Sequence, residues 1–546
     1  MATRLTGFSK LVITLLILGL IFALGYFLLE KTEFGQNLKE QADAKVEEVS
    51  ESSGNKTAKS DGKSDTKASA GTSGNRDKDG NKILRVQLVS WGGYGPGLYF
   101  NEGAAASTRS RFYQDYGFKV EFKLENDLFN ALDAWIAGEY DVLVQTADAF
   151  PLYTAPKDIN SFRPKAFMQV DWSRGGDAII VKDGINTVND LKGKRVAVTV
   201  PSPSQTLLIT ALEAAGLKYS DVKVIKTSDN FKAAELFQSN DVDAAVVWSP
   251  DDVIATRAVP RSKVLLNTEQ QSHIVADIMF AKEAFINDNK QMIDQFYEGW
   301  MKGQAEIKGN TANRSKAVKY LAEFNGIPAS DADGMASTVY WTSHGDNMNF
   351  FGLNPGFKGQ TGSDLYTKMS RKFVESGDAE NEAPGWRSVI YTGAVQAANG
   401  KLQGQKYAAE GAKEFKPVTV KEKTVAPIAT KPLSISFATG QSNLDNNAKT
   451  LIDLQIKEVA KSFGNMKVRI EGNTDNVGSH DSNMELSRKR AESVAQYLER
   501  EYNMNRNRFI IVGNGPDQPV KGCEANQNEA CKAKNRRTDF QLVPAG

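Results

Sequence analysis

The run LVITLLILGLIFALGYFLL, Leu11 to Leu29, contains no charged residue. As a helix rising about 1.5 Å per residue it spans about 28 Å, the hydrocarbon thickness of a bilayer. Arg4 and Lys10 precede it, which holds that end in the cytoplasm and sends the rest of the chain across. The expectation is a transmembrane helix within residues 1–30. A cleaved leader is the rival reading, with Ala23-Leu24-Gly25 as its cleavage site. The apolar run continues through Tyr26, Phe27, Leu28 and Leu29, longer than a leader core, and this favours an uncleaved anchor. No cysteine lies near it, which excludes a lipoprotein.

From Glu51 to Lys82 there is no Val, Ile, Leu, Met, Phe, Tyr or Trp. Such a stretch cannot bury enough apolar surface to offset its ordering entropy, so residues 31–82 read as a disordered linker. Gly62-Lys63-Ser64 imitates the end of a phosphate loop, but Thr57 stands where that motif needs glycine and no strand precedes it. A second linker is expected over 401–431, where Pro417 and Pro427 argue for an extended spacer. At 546 residues the chain is too long for one core. Its 67 basic and 66 acidic residues argue against a nucleic-acid partner. Three histidines and two cysteines do not make a common metal centre, and no cofactor or metal is expected.

Residues 83–400 alternate strand and helix, which predicts an α/β fold with a mainly parallel sheet. ILRVQLVSW and KRVAVTV read as strands; SQTLLITALEAAGL reads as a helix stopped by Gly216. LDAWIAGEYDVLVQTADA and AELFQSNDVDAAVVWSPDD repeat one pattern of helix, turn, Asp and apolar strand, with Asp141 and Asp243 in equivalent places. No Ser/His/Asp spacing, zinc motif or nucleotide loop is present, and no enzyme is expected. His273 and His344 read as ordinary hydrogen-bonding residues.

The ordered set Ser173, Gly175, Gly176, Asp177, then Asp190-Leu191-Lys192-Gly193-Lys194, then Asp243-Ala244-Ala245 with Trp248 and Pro250 resembles the periplasmic substrate-binding proteins of ABC importers, of the nitrate, sulfonate and thiamine-precursor type. The resemblance implies a type II-like pair of α/β lobes, roughly 83–175 with 280–400 and 176–279, closing on a solute. Loops at the C-terminal ends of strands face such a cleft. They nominate Trp91, Gly92, Gly93, Tyr94, Thr146, Ser202, Ser204, Gln205 and Trp248, with Ser173 and Gly176 at the crossover. Free N–H groups at the start of the helix holding Ser204 and Gln205 suit an anion, and the tryptophans suit pocket walls.

Residues 432–546 read as a small α/β sandwich. NNAKTLIDLQIKEVAKSFGN places an apolar face at 448, 452, 456, 459 and 463. After the strand KVRIEG comes a Gly/Asn-rich turn with Asp475; Ser482 and Glu485 form a capping box that starts a helix. Ser487, Ala491, Val494 and Leu498 make its buried stripe, with Arg490 at the edge. An Asp and an Arg at one rim either pair with each other or grip the two ends of a zwitterion. The words GNTD, G, N, LS, RA, V and YL in their spacing, followed by GNGPDQP and NRRTDF, resemble the OmpA-like peptidoglycan-binding domain. That resemblance implies that Asp475 and Arg490 hold the free end of diaminopimelate in the peptide stem, with Asn483 and Arg536 lining the pocket. Asn473 departs from the family's usual His. Cys523 and Cys531 flank a short loop and, in an oxidising periplasm, are expected to form a disulfide.

The combined expectation is a single-pass bacterial inner-membrane protein with its bulk in the periplasm. Its partners would be peptidoglycan, a small polar or anionic solute and an ABC permease. The alternative is a structural envelope tether whose binding-protein module no longer serves transport.

Overall fold

The computed structural model describes residues 76–200, 202–411, 413–435, 437 and 440–545. The expected anchor and residues 31–75 of the expected first linker lie outside them. Among the described residues no helix is long and apolar enough to cross a membrane. Residues 76–82 were expected to be linker and are instead structured. Arg76 bridges Lys82, and Asp77 pairs with Lys119 at 2.6 Å.

Lobe one carries β1 (Ile83–Leu88), β2 (Lys119–Leu124), β3 (Val142–Thr146), β4 (Pro164–Gln169) and the short β5 (Asp171–Ser173). Lobe two carries β6 (Asp177–Val181), β7 (Arg195–Thr199), β8 (Lys223–Thr227), β9 (Ala244–Trp248) and β10 (Lys263–Asn267). The chain then returns to lobe one through β11 (Asp277–Lys282) and β12 (Val339–Trp341). The sheet orders are β2-β1-β3-β11-β4 and β10-β6-β9-β7-β8, with β12 pairing β5. The second crossover thus ends at about 277, slightly earlier than the boundary expected from sequence.

The expectation of mainly parallel sheets needs correction, because both sheets are mixed. β1 runs parallel to β2 and β3, but β11 runs against β3 and β4. In lobe two β7 runs parallel to β8 and β9, whereas β6 opposes β9 and β10. The reason is topological. The parallel strands end at the cleft, so a chain crossing from the other lobe enters its new sheet at the cleft end and must run the opposite way. The repeat seen in the sequence has a structural counterpart. Asp141, before β3, accepts the backbone N–H of Arg85 on β1 at 2.9 Å. Asp243, before β9, accepts that of Arg195 on β7 at 2.8 Å.

Two longer helices bring the lobes together: α1 (Pro203–Ala214) of lobe two and α2 (Gly362–Ser376) of lobe one. Ile209, Met369 and Phe373 form a small apolar cluster between them, flanked by Glu213 with Lys368 and Lys372 at 2.6 and 3.0 Å. α1 ends at Gly216 in the left-handed region, φ +68°, against Lys431 and Pro432.

The C-terminal module contains β13 (Ala429–Leu433), α3 (Asn446–Gln455), α4 (Lys457–Ser462), β14 (Met466–Asn473), α5 (His480–Tyr502), β15 (Phe509–Gly515) and β16 (Thr538–Pro544). Its sheet order is β13-β16-β14-β15. The apolar face read at 448–463 belongs to two helices that meet at Ile456, not to one. α5 starts earlier than the capping box suggested: Ser479 is the N-cap and accepts the N–H of Ser482, while Glu485 pairs with Arg488. The helix stripe is buried as expected, with Ser487, Ala491, Val494 and Leu498 all at 0% exposure.

Residues 401–431 are not the extended free spacer expected. Tyr407, Phe415, Glu422 and Ala429 are buried. Ala408 O accepts from Ser343 at 2.9 Å and Glu410 N–H donates to Asp346 at 2.7 Å, both in lobe one. Glu422 pairs with Lys467 of the C-terminal module at 2.7 Å. Val188 of lobe two donates to Ile428 O at 2.8 Å. Lobe two and the C-terminal module share one apolar core, in which Leu208, Leu212 and Ala215 meet Ile452, Ile456 and Val468.

Asn189 seals that junction. Its side chain donates to Thr430 O at 3.0 Å and accepts Thr430 N–H at 2.9 Å. Asn189→Ala removes both bonds from a half-buried strand edge, a loss of about 1–3 kcal/mol. Calorimetry of the parent is expected to show lobe two and the C-terminal module unfolding together, and that of the variant a separate, earlier transition for the module.

Candidate functional site

The turn and helix that carry Asp475 and Arg490 are set by close packing of α5 on β14 and β15. A Cβ at Gly472 would lie 2.1 Å from Ser487 O, and one at Gly513 2.6 Å from Arg488 N. The glycines of the GNTD and GNG words thus let the helix lie directly on the strands, which brings the turn after β14 beside the first turns of α5.

Asp475 and Arg490 do not pair with each other. Asp475 Oδ2 accepts from Arg536 Nη1 at 2.7 Å and Oδ1 from Val477 N–H at 3.0 Å. Arg536 also reaches Glu529 at 2.5 Å. Arg490 stacks over the Phe437 ring, 4.8 Å from its centroid, and its Nε donates to Gln441 O at 3.1 Å. Partial burial holds its guanidinium below the usual arginine range, with Asp475 acting against that shift. Ile435, Phe437, Gly472, Asn473, Arg490, Arg536, Arg537 and Thr538 line a small open hollow. Asn483 is not among the residues lining it; it braces the turn after β14, donating to Val477 O at 3.0 Å. Asn473 is buried and bonds Asp539 at 3.2 Å, a local role. Phe437 and Gln441 were missed in the sequence; a Phe six residues before the conspicuous Asn443-Leu444-Asp445 helix start was the available signal. Cys523 and Cys531 are joined in a disulfide, and nearby Asn535 donates to Cys523 O at 3.0 Å.

The residues nominated for the cleft lie where the lobes touch, and there the lobes are shut. Gln205 Nε2 donates to Asp378 of lobe one at 2.5 Å, and Lys226 pairs with the same carboxylate. Thr206 Oγ1 donates to Asp148 at 2.6 Å across the seam. Ser202 caps α1, accepting from Ser204 N–H at 3.2 Å, so part of the helix end proposed for an anion is already occupied from within. Ser204 is fully buried. Trp91 Nε1 donates to Asp171 at 3.0 Å, and its ring lies over Gly176, where a Cβ would approach to 2.2 Å. Gly92 and Gly93 are equally confined: a Cβ at Gly93 would overlap Asp171. Tyr94 OH donates to Asp277 at 2.7 Å. Ser173 Oγ donates to Asp177 at 2.7 Å, Trp248 lies opposite Asp177 in the β6–β9 register, and Thr146 is buried opposite Asp277. His344 meets Tyr297 at 2.9 Å and His273 meets Ser272 at 3.0 Å.

Of the carboxylates of this region, Asp148 follows the cleft-facing loop at Thr146 and Asp177 belongs to the resemblance set, whereas the sequence reading selects neither Asp171 nor Asp277. Burial pushes Asp148 up to about 7 and Asp177 up to about 6. Asp171 and Asp277 are also pushed up, by burial and by the other carboxylates facing them.

The OmpA family matches residues 436–535. The NMT1/THI5-like family matches residues 105–312. The chain carries both domains. Outer membrane protein Omp38 of Acinetobacter baumannii (strain ATCC 17978) is 28% identical over 265 residues, covering 47% of this chain and 72% of the relative. The taurine-binding periplasmic protein of Escherichia coli is 24% identical over 237 residues, covering 42% and 71%. Among solved structures, the periplasmic aliphatic sulphonate binding protein SsuA from Escherichia coli is similar with a TM-score of 0.44 at 19% identity, over 57% of this chain and 99% of that one.

The raised carboxylates set a pH dependence. The folded chain keeps protons that the unfolded chain has already lost between about pH 4, the ordinary carboxylate range, and about pH 7. Stability from these groups is therefore greatest below that window and declines as pH rises through it. The melting temperature is expected to fall from pH 5 to pH 7.5, and Asp148→Asn with Asp177→Asn to flatten that slope.

Proposed function

We propose that the protein is an envelope-bound receptor: its two-lobed module binds a small polar solute, and its C-terminal module holds peptidoglycan. The observation that carries the wall-binding half is a hollow lined by Arg490 and Arg536, with Asp475 bonded to Arg536 behind it. Arg490 is oriented by Phe437 and Gln441, and Asp475 is held by Arg536. A guanidinium grips a carboxylate bidentately, and a carboxylate receives an ammonium, so the pair fits the free zwitterionic end of a diaminopimelate stem. The match to the OmpA family supports this reading.

The NMT1/THI5-like match and the taurine-binding relative support solute binding by the lobes. Both modules match families other than catalytic ones, and the reading is of a binding protein rather than an enzyme. The apolar run Leu11–Leu29 would anchor the chain in the inner membrane, with the bulk in the periplasm. Attachment to both wall and membrane restricts diffusion, which suits holding or sensing a solute better than shuttling it to an ABC permease. The bonds across the shut seam favour one second reading, an envelope tether whose lobes stay closed.

Asp475→Ala and Arg490→Ala are each expected to abolish sedimentation of the protein with purified peptidoglycan. Each leaves one end of the zwitterion unpaired in a partly desolvated site, about 2–5 kcal/mol, or roughly 30-fold or more in affinity. Binding by either variant at the parent's level would mean that other residues hold the wall. For the anchor, the N-terminal sequence of the protein in the membrane fraction is expected to precede Leu11; a start at Tyr26 would mean a cleaved leader.

A further inference from the structure

Four carboxylates converge where the lobes and both crossovers meet. Asp148 follows β3, Asp171 lies in β5, Asp177 opens β6 and Asp277 opens β11. Their exposures are 0, 0, 2 and 6%. They share one locality: β3 and β11 are register neighbours, Val170 N–H donates to Asp277 O at 2.7 Å, and the charge of Asp177 acts on each of the other three. Among the described residues no Lys or Arg forms an ion pair with any of them.

The protein's own donors satisfy only part of this set. Thr206, Trp91, Ser173 and Tyr94 each serve one oxygen. Asp148 Oδ1 and Asp171 Oδ1 are buried with no hydrogen-bond partner. Native folds rarely leave such atoms unserved, and where they do, the groups have a use beyond packing. Aromatic surface adjoins them. The Trp91 ring covers Gly176, next to Asp177; half-exposed Trp248 lies opposite Asp177; Tyr94 closes on Asp277. Buried negative charge beside indole faces is the lining that receives an organic cation, by charge and by attraction to the ring face.

We propose that the cleft takes a solute bearing a protonated amine or quaternary ammonium group, received by Asp148, Asp171 and Asp177 with Trp91 and Trp248 as its walls. The proposal rests on the solute-binding reading and names the chemistry of that site. Parting of the lobes, by release of Thr206 from Asp148, of Gln205 and Lys226 from Asp378, of Glu213 from Lys368 and Lys372 and of Ile209 from Met369 and Phe373, gives access. The cation then supplies the missing partner for the unserved oxygens. It also opposes the proton affinity that burial raises in these carboxyls, so any proton still held there leaves as the ligand binds.

The test uses the full chain with agmatine, choline and propylammonium as cationic probes and propanesulfonate as a size-matched anion, followed by melting temperature and titration calorimetry. At least one cationic probe is expected to raise the melting temperature, with a binding enthalpy that changes with the ionisation enthalpy of the buffer. Asp171→Asn/Asp177→Asn, which keeps the shape and removes the charge, is expected to weaken that probe at least tenfold, and Trp248→Leu to weaken it without altering the fold seen by circular dichroism. Stabilisation by propanesulfonate and by none of the cations would overturn this proposal and leave solute binding intact. Cation binding that is unchanged in both variants would overturn it as well. No stabilisation by any probe would overturn both and leave the tether reading.

Discussion

The apolar core shared by lobe two and the C-terminal module is the constraint on which the rest of the architecture depends. α1 is buried on nearly every side. One face meets α2 of lobe one through Ile209; another enters the common core with Ile452 and Ile456. A helix enclosed in this way cannot shift without disturbing both neighbours, since interiors pack densely and do not deform continuously. Buried Arg508 reinforces the module's side of the core. Its guanidinium donates to the carbonyls of Ala460, Phe463 and Met466 at 2.6–2.9 Å, which satisfies the end of α4.

The two candidate sites use opposite electrostatic strategies. At the wall-binding hollow the charges are mixed and partly solvated, and each is oriented by a neighbour, so both ends of a zwitterion find a counterpart. At the lobe seam one sign of charge is gathered and dried, and burial raises the affinity of these carboxylates for protons. In the first the acidic group is already held by Arg536; in the second the carboxyls have shifted proton affinities, so the two differ in how acidity acts on them.

Much of this was legible in the sequence wherever a local pattern carries the information. The stripe of Ser487, Ala491, Val494 and Leu498 follows from helical periodicity, and the closeness of α5 to its strands is written in Gly472 and Gly513. The resemblance to binding proteins puts Trp91, Ser173, Gly176 and Trp248 at one cleft; Trp91 and Ser173 lie against Gly176, and Trp248 pairs with the adjoining Asp177. Three features were not legible. The partner of Asp475 is Arg536, 61 positions away, and no local spacing distinguishes it from Arg490. The stretch 401–431 reads as an extended spacer from its prolines, whereas its order comes from surfaces on other parts of the chain. The seam carboxylates come from four separate segments. Their shared signal was an Asp set against apolar residues, as in QVDW, GGDAIIV and VADIMF, where a charge has no reason to be unless something answers it.

A pair of lobes joined by two crossovers swings about them as a hinge. Here a third join exists. The chain leaves lobe one at Ala408 and Glu410, is held by the C-terminal module from Lys416, which accepts from Lys467 at 3.0 Å, to Val425, which accepts from Arg469 at 2.8 Å, and reaches lobe two at Ile428. With the module fixed to lobe two, the stretch from Glu410 to Lys416 closes a ring around the hinge, and six extended residues reach about 20 Å. Any parting of the lobes would meet a limit set by the length of that stretch, beside the Lys461–Asp364 pair that also ties the module to lobe one, and lengthening or shortening it would reset how far the mouth can gape.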